Sequence, residues 1–245
     1  MKTAGWLVAL FAVLAVGCGE PALAAQAGST QAGSTQAGST QPTISFDFDR
    51  TGLPVPRFTL VLHRDGTGTY HAEEVERRSA DSALQQVSLK QVDRAVVLTP
   101  EMAAKIFQMA QTLNHFTGFC GTKAKNIADT GKKTLTYSGP DGAGSCTYNY
   151  SDDKTVAAMT NLVFGIAYTM DVGRRLDFEK RFDRLGLDAE LIALEHAVEE
   201  KNALELGNIA PTLSAIASNE EMMQRVRLRA AKLLEQSAGA GSASK

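Results

Sequence analysis

The sequence predicts an α+β fold: an antiparallel sheet of five or six strands with one helix, followed by a C-terminal bundle of about four helices. Three observations support this prediction. Segments of alternating polarity fill residues 44–151, and a single helix signal interrupts them. The stretch Thr155–Leu185 then has apolar residues at helical spacing, and only helix signals follow it. Strands and helices that are separated along the chain in this way are typical of α+β proteins.

Six segments have the residue pattern of strands, with turn residues between them. They are Ile44–Asp49, Phe58–His63, Thr69–Val75, Val87–Leu98, Lys132–Ser138 and Ser145–Tyr150. Asp65-Gly66 is a strong hairpin signal, and the Gly/Pro-rich segment 139–144 is expected to be a loop between the last two strands. Thr99 followed by Pro100 predicts a capped helix start, because the first helical position needs no N–H donor.

The stretch Thr155–Leu185 is interpreted as a long helix that joins the two halves of the chain. We expect Ser151 to cap this helix, and we expect a bend or break at Gly173, where apolar residues give way to charged ones. Basic and acidic residues are interleaved at neighbouring-turn spacing in 171–184, which predicts a solvated face of ion pairs rather than an anion site.

Helix signals divide the remainder of the chain into shorter segments. Gly186 is expected to stop the long helix, and Asp188 is expected to cap the next one, Asp188–Leu204. The segment 218–221, Ser-Asn-Glu-Glu, has the pattern of a capping box. It predicts a last helix that begins there and runs to about Gln236.

The composition excludes some classes of function. The chain has 25 lysines and arginines against 27 aspartates and glutamates, and binding of nucleic acid needs a concentrated basic surface. The segment 151–154 matches the S-x-x-K motif of penicillin-binding enzymes, but the S-D-N and K-T-G elements of those enzymes are missing. We predict no nucleic-acid partner, no catalytic residue and no cofactor.

The N-terminus has the features of an export signal. Lys2 precedes an apolar run, Trp6–Val16, and Ala22-Leu23-Ala24 fits a small-x-small cleavage site. The alternative is a lipoprotein signal that is acylated at Cys18. The apolar run is too short to span a bilayer, so no transmembrane segment is expected in the mature chain. Both signals predict a periplasmic or outer-envelope location, with a lipid anchor in the second case.

The chain is accordingly predicted to have five segments. Residues 1–24 are the signal peptide, and residues 25–43 contain three Gln-Ala-Gly-Ser-Thr repeats, which are too polar to bury a core and predict a flexible linker. Residues 44–151 are the α+β domain and residues 152–236 the helical region. The Gly/Ala/Ser-rich residues 237–245 are expected to form a disordered tail.

Two cysteines, Cys120 and Cys146, lie in the predicted domains. An isolated pair in an exported protein usually forms a disulfide, and no CxxC motif suggests a redox site. We therefore predict a Cys120–Cys146 disulfide.

His63 and His71 flank one predicted hairpin. A two-residue turn would pair Leu60 with His71 and separate the two imidazoles, whereas a three-residue loop would pair Val61 with His71 and place them on one face. A third ligand is not evident in either case, so we predict no metal site.

The segment Asn208–Gln236 resembles a single helical hairpin of the HEAT type. The resemblance lies in Ile209–Leu213, Val226–Ala231 and Leu233-Leu234, and it implies a protein-binding helical surface. No second copy is present, although stacked arrays need about three repeats, which favours an ordinary helical hairpin. The earlier part of the chain is similar to uncharacterised exported bacterial α+β proteins through Phe58–Tyr70 and Thr99–Ala110, which implies no particular activity.

A partner surface is predicted on the last helix. Arg225, Arg229 and Lys232 lie together at spacings of four and three, on a different side of the helix from an apolar stripe. This surface favours a non-enzymatic module that binds another envelope protein. The alternatives are a structural or stress-related exported protein and a hydrolase whose active-site residues are dispersed along the chain.

Overall fold

A computed structural model describes residues 41–76 and 88–242, without the side chains of 239–242. Its strands are β1 (Thr43–Asp49), β2 (Arg57–His63), β3 (Thr67–Glu76), β4 (Ser88–Val97), β5 (Lys132–Gly139) and β6 (Gly142–Tyr148). They form one antiparallel sheet in the order β4-β3-β2-β1-β5-β6. The predicted signal peptide, Cys18, the linker up to residue 40 and residues 243–245 lie outside the described residues.

Five α-helices accompany the sheet in the described part of the chain. They are α1 (Pro100–Thr112), α2 (Lys154–Phe182), α3 (Gly186–Glu199), α4 (Ala210–Ala217) and α5 (Gln224–Ser242). Short 3₁₀ turns at Asn114–Phe116 and Leu206–Ile209 follow α1 and precede α4. The predicted α+β class is confirmed: one helix lies within the strand-rich half, and four follow it.

The two faces of the sheet have different surroundings. Alternate side chains, among them Phe46, Leu60 and Leu135, are buried beneath α1 and the first half of α2. Phe164 of α2 contacts Phe46, Phe48 and Phe58 edge-on, with ring centroids 5.1–5.8 Å apart. The opposite face carries polar side chains and is open to solvent, because strand residues alternate between the two faces.

Two hairpins differ from the predicted turns. The β2–β3 register pairs Thr59 with His71, which leaves residues 64–66 as the loop and corrects both predicted pairings. Gly139 pairs with Gly142, so the predicted six-residue loop between β5 and β6 is a two-residue turn. Glycine suits Gly142 because its φ is 149° and a Cβ there would lie 2.8 Å from His115 Nδ1.

The long helix α2 belongs to two cores. Its first half packs with the sheet, while Val172 and Leu176 pack with α3, α4 and α5. The predicted break at Gly173 is wrong, because α2 is continuous from Lys154 to Phe182. A Cβ on Gly173 would lie 2.3 Å from Ile209 Cγ2, so glycine permits close packing of two elements here.

The helix starts also need correction. Asp153, not Ser151, caps α2 by accepting from the N–H groups of Thr155 and Val156. Helix α3 begins at Gly186, so Gly186 is not a stop, and Asp188 lies in the first turn of α3 rather than at its cap. The predicted capping box at 218–221 is wrong as well, because α5 starts only at Gln224.

Among the described helices, α2 has the length and apolar composition needed to cross a membrane. However, 61% of its most apolar window is buried inside the fold. This burial is typical of a core helix, because the side chains that would face lipid already contact the sheet and the neighbouring helices.

Candidate interaction surfaces

The predicted disulfide is confirmed. Cys120 and Cys146 are bonded, with Cα atoms 6.1 Å apart, and both residues are buried. The bond links the segment after α1 to β6 and so fixes an otherwise irregular stretch of chain against the edge strand.

The basic residues predicted to bind a partner contact helix α3. Arg225 lies 2.8 Å from Asp188, and Arg229 reaches both Asp188 at 3.2 Å and Glu195 at 2.5 Å. Lys232 lies 3.2 Å from Glu195. These charges are therefore compensated within the fold, where they join α5 to α3. Their partner-binding role stays a prediction, and the proposal below depends on a different surface.

The basic residues of α2 also have acidic partners. Arg174 pairs with Glu74 of β3 at 2.8 Å, and Arg175 pairs with Glu190 of α3 at 2.6 Å. These contacts extend beyond the predicted ion pairs between neighbouring turns, because they join α2 to the sheet and to α3. Arg181 is exposed and has no ion pair with any residue that the structure describes.

Three exposed apolar residues lie at the C-terminal end of α2 and just beyond it. Phe178, Phe182 and Leu185 are 57%, 73% and 80% exposed, and the two phenylalanine rings are 4.9 Å apart. We call these three residues the apolar tip. Large side chains grouped on a surface mark binding sites more often than single exposed ones do, because their exposure to water is unfavourable. The charge pattern of 171–184 predicted only a solvated face of ion pairs and gave no sign of this exposed apolar surface.

The two histidines of the β2–β3 hairpin have polar neighbours. His63 and His71 share the open face of the sheet, but His63 contacts Thr43 Oγ1 at 3.2 Å and His71 pairs with Asp93. Within the described residues there is no group of three or more His, Cys, Asp or Glu side chains that could hold a metal.

A cluster of three polar residues lies beside the β5–β6 turn. The Tyr137 hydroxyl donates to Asp141 Oδ1 at 2.5 Å, and His115 stacks on Tyr137 with its Nε2 3.5 Å from Asp141 Oδ2. Burial and Asp141 raise the pKa of Tyr137 to about 12, while the hydrogen bond from Tyr137 lowers the pKa of Asp141. His115 lies within three consecutive residues of positive φ, 114–116, a backbone conformation that is costly for non-glycine residues.

Lys133 is a buried lysine without a carboxylate partner among the described residues. Its Nζ donates to the carbonyl oxygens of Thr130, Gly131 and Asn149 and to the hydroxyl of Thr130, at 2.8–3.0 Å. Burial lowers the pKa of Lys133. The ammonium group thus connects the residues just before β5 with Asn149, just after β6, which is a structural role. The sequence around Lys133 alternates in polarity like an ordinary strand, so it did not predict that this lysine would be buried.

The open face of the sheet contains a shallow cavity of about 370 Å³. Several of its charged residues are paired with one another: Arg57 contacts Asp49 and Glu73 at 3.3 Å, and Asp47 accepts from Thr59 at 2.7 Å. Comparison of the chain with protein-family models, curated proteins and solved structures found no match.

Proposed function

We propose that this chain is an exported, non-enzymatic module that binds another protein of the cell envelope through the apolar tip. The observation that carries the proposal is the exposure of Phe178, Phe182 and Leu185 at the end of a helix whose earlier apolar residues are buried. Aromatic side chains are enriched at protein interfaces, where a few of them provide much of the binding energy.

The disulfide and the N-terminal sequence support the exported location. Disulfides persist mainly in oxidising compartments, and the pattern in residues 1–24 is that of an export signal. Fractionation should recover the processed chain outside the cytoplasm, whereas an unprocessed cytoplasmic chain would contradict the proposal. Labelling with a palmitate analogue would distinguish acylation at Cys18 from cleavage after Ala24.

Photo-crosslinking in the native envelope tests the binding role. A photoreactive residue at Phe182 should yield one main crosslinked protein, and the same residue at Thr69, on the open sheet face, should not. The double variant Phe178→Ser/Leu185→Ser should reduce the yield at position 182 by about tenfold or more, because buried interface anchors typically contribute 2 kcal/mol or more.

Leu228 provides the matched control, since it is an exposed apolar residue on α5, 62% exposed. Leu228→Ser should leave the crosslink at position 182 unchanged. If the tip variant and the Leu228 variant give equal yields, the tip is not the binding surface.

A further inference from the structure

Strand β4 forms one edge of the sheet, and its register shows which backbone groups face outward. Leu98 N donates to Gly66 O at 2.8 Å, which makes 98 and 66 a hydrogen-bonded pair. Residues directly opposite each other in an antiparallel ladder alternate between hydrogen-bonded and non-bonded pairs. The even-numbered residues of β4 therefore bond to β3, whereas its odd-numbered residues direct their N–H and C=O groups away from the sheet.

One end of this edge is closed by a side chain. Asn208 Oδ1 accepts from Val97 N at 2.7 Å, and Asn208 Nδ2 donates to Val97 O at 3.0 Å. The carboxamide thus makes the two hydrogen bonds that a residue of a neighbouring strand would make. A further bond from Nδ2 to Glu205 O, at 3.0 Å, holds the amide in place. A strand added along this edge would have to end at Asn208.

Four outward-facing residues remain beyond that closure: Leu89, Gln91, Asp93 and Ala95. None of their backbone groups has an outward hydrogen bond to any residue that the structure describes. The segment 89–95 corresponds to about 20–24 Å of extended chain, the length of an ordinary strand. An unpaired edge of this length is a template for another strand.

The side chains of β4 disfavour a second copy of this chain as the added strand. A symmetric antiparallel pairing centred on Val92 would place Lys90 opposite Arg94 of the other copy. Centred on Asp93, the pairing would place two aspartates opposite each other, and centred on Gln91 it would place Leu89 opposite Asp93. Like charges directly opposite each other destabilise a strand pair.

One side chain of β4 favours an acidic peptide. Lys90 and Arg94 lie on one face of β4, and Arg94 is paired with Asp177 of α2 at 2.7 Å, whereas Lys90 is exposed and has no ion pair with a described residue. On the other face, Leu89 is 41% exposed, Ala95 is small and exposed, and Asp93 between them already pairs with His71, so apolar side chains of an added strand could pack at the two ends of this face. A strand that alternates carboxylates with apolar residues would satisfy both faces.

We propose that the β4 edge binds an extended, acidic peptide segment of another protein as a seventh, antiparallel strand between Leu89 and Ala95. This binding site is distinct from the apolar tip, so the proposal stands even if the tip binds nothing. Asn208 sets the end of the added strand.

The probe is a capped peptide, Val-Glu-Val-Glu-Val-Glu-Val, added to the full mature chain. Backbone amide exchange at Leu89, Gln91, Asp93 and Ala95 should slow by about tenfold or more, because these N–H groups become hydrogen-bonded. The amides of Ala143, Ser145 and Thr147, which face outward from the other edge strand β6, should not change. A matched peptide with lysine in place of glutamate should bind at least about tenfold more weakly, because Lys90 would repel it.

Proline substitutions provide a second test. Gln91→Pro removes one outward donor without removing a β3–β4 hydrogen bond, which an edge strand tolerates. This variant should raise the Kd of the peptide by about tenfold or more, whereas Ser145→Pro on β6 should leave the Kd unchanged. Three results would each overturn the proposal. They are slower amide exchange on β6 when peptide is added, equal affinity for the two peptides, and slower amide exchange on β4 at high protein concentration without peptide. The amide-exchange measurement and the comparison of the two peptides use the unmodified protein, so they test the proposal even if the Gln91 variant does not fold.

Discussion

In the strand-rich half, polar and covalent links lie within or beside the packed core, whereas the second core, between the end of α2 and α5, consists mainly of aliphatic and methionine side chains, with Thr212 as a buried polar residue that donates to Asp177. The links of the first half include the Cys120–Cys146 disulfide, the Lys133 ammonium and the Tyr137–Asp141 hydrogen bond. The helical half has ion pairs at its surface, such as Arg229 with Asp188 and Glu195.

The difference follows from how each half satisfies its backbone. Helices satisfy their own N–H and C=O groups, so apolar stripes can assemble with few polar contacts inside. The irregular segments 114–120 and 128–131 lie outside any strand or α-helix, and their polar groups need side chains or covalent links to hold them. We therefore expect the helical half to be sensitive to packing defects and the strand-rich half to loss of individual links.

The largest effect is expected in the helical core. Val226 is fully buried, so Val226→Asp should lower the free energy of unfolding by about 4 kcal/mol or more, because it buries a charge without a partner. Leu228→Asp, on the exposed side of the same helix, should change it by less than about 0.5 kcal/mol. Urea unfolding followed by circular dichroism measures both values, and equal stabilities would contradict the assignment of this core.

The disulfide should have the next largest effect. The chain-entropy relation for a closed loop of about 27 residues gives roughly 3.5 kcal/mol, which the double variant Cys120→Ala/Cys146→Ala should lose. Reduction of the unmodified protein should lower its unfolding midpoint similarly and should leave the double variant unaffected. A midpoint that does not respond to reduction would show that the bond contributes nothing to this half.

Lys133 should come third. Lys133→Met fills the same space but leaves the carbonyl oxygens of Thr130, Gly131 and Asn149 without their donor. A buried polar group that loses its hydrogen-bond partner costs about 1–3 kcal/mol, and some of these carbonyl oxygens will bond to water instead. We therefore expect the free energy of unfolding to fall by about 2–3 kcal/mol. The neighbouring exposed Lys132→Met is the control, and a Lys133 variant as stable as that control would remove this link from the comparison.

The same contrast explains how far the sequence could be interpreted. Alternation and helical spacing predicted the sheet, α1 and the four later helices, because burial on one face leaves a periodic signal. The disulfide followed from an isolated pair of cysteines. Gly173 was misinterpreted because a glycine that permits close approach to Ile209 has the same sequence signal as one that ends a helix.

The candidate surfaces were harder to predict because they depend on contacts between distant segments. The partners of Arg229 lie 34 and 41 residues away, and Asn208 closes a strand 111 residues earlier in the chain. The exposure of Phe178 and Phe182 follows only from the position at which α3 turns back against α2. Polarity patterns within a single segment carry no information about such contacts.

The smallest effect should be a pH dependence of the stability that Tyr137 contributes. This effect distinguishes a polar link from simple packing of the ring. The hydrogen bond from Tyr137 lowers the pKa of Asp141 below its ordinary value of 3.8. A depressed folded-state pKa stabilises the fold above the unfolded pKa, and this contribution is lost as the pH falls through the folded value. The difference in unfolding free energy between the unmodified protein and Tyr137→Phe should therefore be constant from pH 5 to pH 7 and should shrink below about pH 4.

The alkaline limb gives an independent check of the same link. The pKa of Tyr137 is raised to about 12 from 10.0, so its contribution is complete below pH 10 and is lost as the pH rises towards 12. Burial raises the pKa of Tyr148 to about 12 as well, so Tyr137→Phe should weaken the alkaline loss of stability without abolishing it. Tyr148→Phe should weaken the alkaline loss but leave the acid limb unchanged, because the Tyr148 hydroxyl bonds to Thr160 rather than to a carboxylate. If both phenylalanine variants have the same acid limb, the Tyr137–Asp141 bond adds no stability beyond the packing of the ring.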